Sequence, residues 1–415
     1  MTQTRLITPV LLAGCLILLI SFGIRASFGV FQIPIAEDFG WLRAEFSMAI
    51  AIQNLAWGIG QPIFSAIAER FSDRKAIILG ALTYAVGLVL SSYAITPGQH
   101  QFLEILVGFG IAGTGFGVIL AIVGRAASDE NRAMALAIAT AAGSAGQVVG
   151  PPVAEALLSL MPWHSVFLVF AAAILCTLLL LPILRAPERG PAAAQHGPGM
   201  GVVVGQAMRD PSFILITLGF FSCGYQLGFI TAHFPAFVTE LCGPIGPNSF
   251  LHGLGISSTS ALGAAAISVI GLANIGGTLA AGWAGNRLPK KYLLSSIYAA
   301  RTVVAIWFIM VPVTPASVLI FSALMGGLWL ATVPLTSGLV AQIFGLRFMG
   351  TLYGLTFLSH QVGAFLGVWL GGRLYDVTGD YTLVWWIGIG VGAFSALVNL
   401  PVEERPREIR AAGAA

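Results

Sequence analysis

Charge is what this sequence has least of. Only 9% of its 415 residues are Asp, Glu, Lys or Arg, against about 25% in soluble domains. A soluble protein of this size could not cover its surface with so few charges, so that class is excluded. Cysteine is also scarce. Of the four, Cys15, Cys176 and Cys223 lie in apolar stretches and only Cys242 in a loop, so no external disulfide pair is available. The signatures of catalysis are missing. There is no His-Glu-x-x-His, no cysteine pair at metal spacing and no Gly-x-Ser-x-Gly, and no Gly-Lys-Ser/Thr follows a glycine run. With no sizeable soluble domain either, an enzyme or a receptor is disfavoured, and no cofactor, metal or nucleic-acid partner is expected. The net charge of +3 says little by itself about partners. The N-terminal run is too long for a cleaved signal peptide and lacks a convincing small-residue cleavage site.

What is present is apolar: 57% of the residues are hydrophobic. Twelve spans can be read, roughly 8–35, 45–67, 76–96, 101–124, 132–158, 164–185, 211–238, 259–284, 291–312, 316–340, 349–372 and 382–401. All are long enough to cross a bilayer as helices, so the fold class is an all-α membrane protein with the lipid bilayer as its surroundings. Basic residues set the orientation. With the N-terminus inside, one face receives sixteen of them, among them Arg70, Arg74, Lys75, Arg125, Lys290 and Lys291, and the other only Arg43 and Arg373. Both termini are expected in the cytoplasm, and the chain is placed in a cell (inner) membrane.

The stretch 187–209, rich in Pro, Gly and Ala, reads as a cytoplasmic linker between a bundle over 1–186 and a second over 210–415. The two halves resemble each other. Gly23-Ile24-Arg25 followed by Phe28 and Pro34 matches Gly224-Tyr225-Gln226 followed by Phe229 and Pro235. Gly146 and Gly150 recur as Gly363 and Gly367. A parallel repeat of this type places a binding site at the midplane between two bundles.

These features carry a resemblance to the major facilitator superfamily, over essentially the whole chain. The basic turn of that family appears as Ser65-x-x-x-Glu69-Arg70-x-Ser72-Asp73-Arg74 and again as Gly282-x-x-x-Asn286-Arg287-x-x-Lys290-Lys291, both with substitutions. Within it, the segment from Arg25 to Trp41, with Ser27-Phe28-Gly29-Val30-Phe31 and Asp38-Phe39-Gly40-Trp41, is similar to the monocarboxylate porters and oxalate/formate exchangers. The resemblance implies two six-helix bundles rocking around a central site. Those relatives usually carry an arginine in the eighth span with an aspartate one turn earlier. The matching positions here are Thr278 and Asn274, so the resemblance supplies no such proton-accepting pair.

Arg25 is the first candidate. It lies roughly 18 Å of helix from the acidic flank Glu37-Asp38, too deep for simple snorkelling, and a guanidinium cannot shed its charge. Its fork suits a carboxylate. The bland alternative is a structural arginine on helix carbonyls. Arg301 is a second deep arginine, for which the same alternative weighs as heavily. His360 is the proton-coupling candidate, because histidine titrates near neutral pH; its alternative is a plain interhelical hydrogen bond. Tyr225 and Gln226, at the repeat position of Arg25, and Gln53, Asn54 and Asn274 complete the candidate substrate-binding set. No carboxylate occupies the middle of a span; Glu104 and Glu155 read as wet helix ends. The functional expectation is a secondary transporter, acting as a monomer. Its substrate is a small organic anion such as a monocarboxylate, moved by proton symport or anion exchange. The alternative is an exporter of drugs or neutral metabolites, with Trp57, Tyr225, Trp329 and Phe357 lining an apolar pocket.

Overall fold

A computed structural model describes residues 6–127, 132–184, 200–285, 287–345 and 349–407. Among the described residues every regular element is helical. The six spans of the first half are α1 with α2 (Pro9–Ser27 and Gln32–Phe39, joined by a 3₁₀ turn at Phe28–Phe31), α3 (Arg43–Arg70), α4 (Asp73–Ser91), α5 with α6 (Pro97–Thr114 and Phe116–Ala126), α7 (Arg132–Leu158), and α8 (Trp163–Cys176) with its 3₁₀ extension Thr177–Leu180. The short α9 (Met200–Ala207) precedes the second half. There follow α10 (Pro211–Leu241), a four-residue α11 (Phe250–Gly253), α12 (Thr259–Gly285), α13 (Lys290–Met310), α14 with α15 (Pro315–Gly327 and Thr332–Phe344), α16 (Met349–Thr378) and α17 (Thr382–Val398).

All twelve expected spans are present. By length and composition eight are apolar enough to cross a membrane, and α17 is apolar but shorter. The remaining three, α3, α7 and α16, are 28, 27 and 30 residues long. They pack across the divide between the halves, α3 on α16 and α7 on α12, so more of their surface faces protein and less needs to be greasy. The stretch expected as a linker, 187–209, is helical over Met200–Ala207, and its start at 187–199 lies outside the described residues, as does Asn286 of the second basic turn. Apolar packing divides the chain in two. One core runs from Leu11 to Leu184 and takes in Ala232 and Val368 at the divide, the other from Val203 to Val402.

The sequence repeat has a packing counterpart. A Cβ on Gly146 or Gly150 would stand 2.2 or 2.1 Å from the carbonyl oxygens of Leu19 and Gly23 on α1. One on Gly363 or Gly367 would stand 2.1 or 2.2 Å from those of Phe221 and Tyr225 on α10. In both halves the glycine pair lets two long helices touch backbone to backbone, as small residues do in membrane bundles.

Three spans are interrupted where the sequence suggested continuous helix. The first tightens into 3₁₀ geometry after Ser27, whose hydroxyl donates to the Gly23 carbonyl at 2.8 Å, a back-bond that bends helices. The fourth breaks at Gly115 and the tenth over 328–331.

The halves are fastened together at the end where the first and seventh spans finish. The backbone N–H groups of Arg43 and Ala44, at the first turn of α3, donate to the Asp376 carboxylate on α16 at 3.1 and 2.7 Å. The Arg43 guanidinium pairs with Glu240, donates to the Tyr381 hydroxyl at 2.9 Å and lies 4.0 Å from the Tyr375 ring centroid. Below it Gln32 and His233 meet at 3.1 Å. Polar links between the halves run from this end to the Asn54–Gln361 and Ser144–Asn274 level.

Candidate functional site

Arg25 sits in the last turn of α1, just before the 3₁₀ turn. Next to it Gly29 presses on the second half: a Cβ there would stand 2.3 Å from the Thr231 carbonyl oxygen of α10. This close approach brings the arginine to the divide between halves. The Arg25 Nη2 donates to Asn54 Oδ1 at 3.0 Å, and its guanidinium carbon stands 4.7 Å from the Trp57 ring centroid. The Asn54 Nδ2 donates to the Ile50 carbonyl at 2.9 Å, which fixes the amide with its oxygen toward Arg25. Nε of Arg25 is buried without a partner, and among the described residues no carboxylate pairs with this cation. Arg25, Gln53, Asn54, Phe28 and Gly29 line a cavity closed from the other side by Gly228, Thr231 and Ala232. Its volume is about 10 Å³, the room of roughly one water, so a carboxylate enters only when the halves part.

His360 on α16 connects to this cluster indirectly. Its Nδ1 lies 3.0 Å from Gln361 Oε1, and the Gln361 Nε2 donates to the Asn54 carbonyl at 3.1 Å. The imidazole stacks on Phe357 with ring centroids 5.6 Å apart. Gln361, which was not among the candidate residues, is therefore the bridge from His360 to the Arg25 cluster. A Cβ on Gly58 would stand 2.8 Å from the Gln361 Cβ, so α3 and α16 touch at this level.

The other candidates lie apart from Arg25. Tyr225 and Gln226 face the interior of the second half, around a separate small cavity lined by Phe229, Ala305, Met325, Trp385 and Gly388. The Gln226 Nε2 donates to the Gly388 carbonyl at 3.1 Å, and the Tyr225 hydroxyl has no partner. Arg301 on α13 is fully buried. It donates through Nε and Nη2 to the Leu328 carbonyl at 3.0 and 2.8 Å, through Nη2 to the Trp329 carbonyl, and through Nη1 to Gln226 Oε1 at 3.5 Å. Those carbonyls belong to the break in the tenth span, where helical hydrogen bonding stops and neighbours must satisfy the backbone. Asn274 serves the same break. Its Oδ1 accepts from the Leu330 N–H at 2.9 Å, while its Nδ2 donates to Ser144 across the divide at 3.1 Å. The structural alternative for Arg301 is thus the geometry found. Of the four aromatics considered for an apolar pocket, Trp57 and Phe357 meet across the divide with centroids 5.2 Å apart, whereas Trp329 is buried in the second core and Tyr225 beside the small cavity of that half.

Glu104 departs from its sequence reading as a wet helix end. It is fully buried, and Gln53 Nε2 donates to its Oε2 at 2.7 Å. His100, one turn earlier on α5, is buried beside it among Trp41, Phe46 and Phe167. Depth counted along one helix could not show that the α2–α3 turn, α3 and α8 cover this turn.

Comparison with known proteins gives a consistent picture. A family model described as Major Facilitator Superfamily matches residues 13–367. Monocarboxylate transporter 13 of Bos taurus is 27% identical over 397 residues, covering 92% of this chain and 86% of that one. The uncharacterized MFS-type transporter YcxA of Bacillus subtilis (strain 168) is 26% identical over 390 residues, covering 91% and 90%. Among solved structures, the inward open conformation of the xylose transporter XylE from E. coli is similar in fold, with a TM-score of 0.72 at 14% identity over 94% of each chain.

Proposed function

The chain belongs to the Major Facilitator Superfamily, and on that premise we propose that it moves a small organic anion, of the monocarboxylate class, across the cytoplasmic membrane by alternating access. It is a multi-pass membrane protein of a transporter family. The observation that carries the substrate class is Arg25. It is a permanent cation at the divide between the halves, with one hydrogen bond, no anionic partner and an unpartnered Nε. A charge kept in that state in a membrane protein is costly unless something anionic joins it, and a carboxylate can take two guanidinium N–H groups at once. The names of the mammalian relatives point to the same substrate class.

In this reading Asn54 and Gln53 form the polar wall beside Arg25, and Gln361 passes the state of the site to His360. Arg301 and Asn274 position the second half instead of touching substrate, and Tyr225 and Gln226 stand behind the site. With the basic-rich face in the cytoplasm, the Arg43 end is the outer one, and the structure is closed outward. Transport is driven by a proton gradient or by exchange of one anion for another.

The test is uptake of labelled monocarboxylates into proteoliposomes. Arg25→Ala removes charge-assisted hydrogen bonds that contribute about 1.5–3 kcal/mol, so uptake at low substrate falls roughly ten- to hundredfold. Arg25→Lys keeps the charge without the fork and recovers part of it. Wild-type rates in Arg25→Ala would sink the assignment. Flux of uncharged lipophiles, indifferent to added carboxylates, would replace it with the exporter reading.

A further inference from the structure

We propose that Glu104 and His100 form a proton-carrying site, linked through Gln53 to the anion site at Arg25. The proposal rests on the transporter reading above but is carried by a different observation. Glu104 and His100 are 0% and 1% exposed. Each keeps one polar atom without a hydrogen-bond partner, Glu104 Oε1 and His100 Nε2. These two atoms face each other at 3.8 Å. A proton on the Glu104 carboxyl points at the imidazole nitrogen, and closing the gap by about 1 Å would satisfy both atoms with one hydrogen bond. Without it, an ionised carboxylate would be shut away from water against a neutral ring, a costly arrangement.

The groups facing the pair from each packed element are few. From α3 comes Gln53, whose amide nitrogen donates to Glu104 Oε2. From α4 comes Tyr84, fully buried, whose hydroxyl donates to the Ser21 carbonyl of α1 at 3.4 Å. Trp41, Phe46 and the α8 residue Phe167 supply only rings. Among the described residues, no lysine or arginine makes an ion pair with Glu104.

Gln53 is the mechanical link. One residue both hydrogen-bonds Glu104 through its side chain and borders the Arg25 cavity. The electrostatic link has a definite sign. When Glu104 is ionised, its negative charge opposes a substrate carboxylate arriving at Arg25. When it is protonated, that opposition is gone and the anion binds more tightly. By reciprocity the bound anion favours the proton. Proton and anion then enter together and leave together, and the translocated pair carries no net charge. The proton that binds Glu104 from one side is the one released on the other, so no further reactant is required.

Two measurements test the proposal on the full chain reconstituted in lipid. Infrared spectroscopy of the substrate-free protein at neutral pH should show the carbonyl stretch of a protonated carboxyl group. That band should vanish in Glu104→Gln and persist in Glu155→Gln. Its absence from the wild type, or its persistence in Glu104→Gln, overturns the assignment. In proteoliposomes, Glu104→Gln keeps the acceptor for Gln53, so counterflow of labelled pyruvate should continue while accumulation driven by an acid-outside gradient is lost. Acid-driven accumulation in Glu104→Gln would also overturn it. A wild type that moves no monocarboxylate would defeat the transport reading alone, and the infrared band would still decide where the proton sits.

Discussion

The clasp at the Arg43 end makes a prediction whose size follows from its geometry. Asp376 stands on α16, and the N–H groups it accepts belong to the first turn of α3, in the other half of the molecule. It therefore caps a helix from across the divide, and only while this end is shut. A capping side chain contributes about 0.5–2 kcal/mol, and a negative charge at a helix N-terminus about 0.3–1 kcal/mol. The ion pair of Arg43 with Glu240 is partly exposed, with side chains 14% and 29% accessible, so it adds no more than about 1 kcal/mol. Asp376→Ala removes the cap and leaves the ion pair. The exposed N–H groups take water when the end opens, so the loss falls on the closed state alone. A shift of about 1–2 kcal/mol changes the open-to-closed ratio roughly 5- to 30-fold. Spin labels attached through Tyr93→Cys in the first half and Met310→Cys in the second report it, since both side chains are over 70% exposed near this end. Pulsed dipolar spectroscopy should show a longer-distance population growing in Asp376→Ala. An unchanged distance distribution would mean that the clasp does not hold the halves, and the reasoning from the cap would fail.

Two further outcomes bear on packing and on the buried arginine. Arg301→Met leaves the Leu328 and Trp329 carbonyls without their donor and should cost about 2–4 kcal/mol of stability; a thermal melt in detergent matching the wild type would show that the pinning is idle. Gly363→Ala places a methyl against the Phe221 carbonyl and should cost about 1–3 kcal/mol, whereas Gly354→Ala, with nothing within 4 Å of its Cβ, should be neutral or stabilising. Equal melting temperatures for the two alanine variants would contradict the backbone contact.

The number of spans, their order and the repeat were legible because bilayer crossing demands long apolar runs, which a linear scan detects. Arg25 was legible for the same reason: a charge stands out against an oily background. What escaped depends on neighbours that are distant in sequence. The tenth span reads as one helix, so the carbonyls that hold Arg301 could not be foreseen. Glu104 lies near the start of α5, and only the packing of rings from α3 and α8 makes its surroundings dry. Gln226 matches Arg25 by repeat position, but the corresponding place in the second half turns toward α17 and not toward the divide. Repeat symmetry relates each position to its own half's core, which is why it located the shared glycines correctly and did not bring the two polar residues together.

The gap in the tenth span commits the polar groups of the second half to local repair. Arg301 and Asn274 are occupied in holding a helix together where its own ladder has stopped, so neither can be exchanged without loosening that side of the molecule. Selection for a different cargo would therefore act first on α1 and α3, where Gln53, Asn54 and Trp57 surround Arg25 and can vary more independently. One half would then serve as the frame and the other as the adjustable face, a division of labour that two copies of one ancestral unit could reach without altering their shared outline.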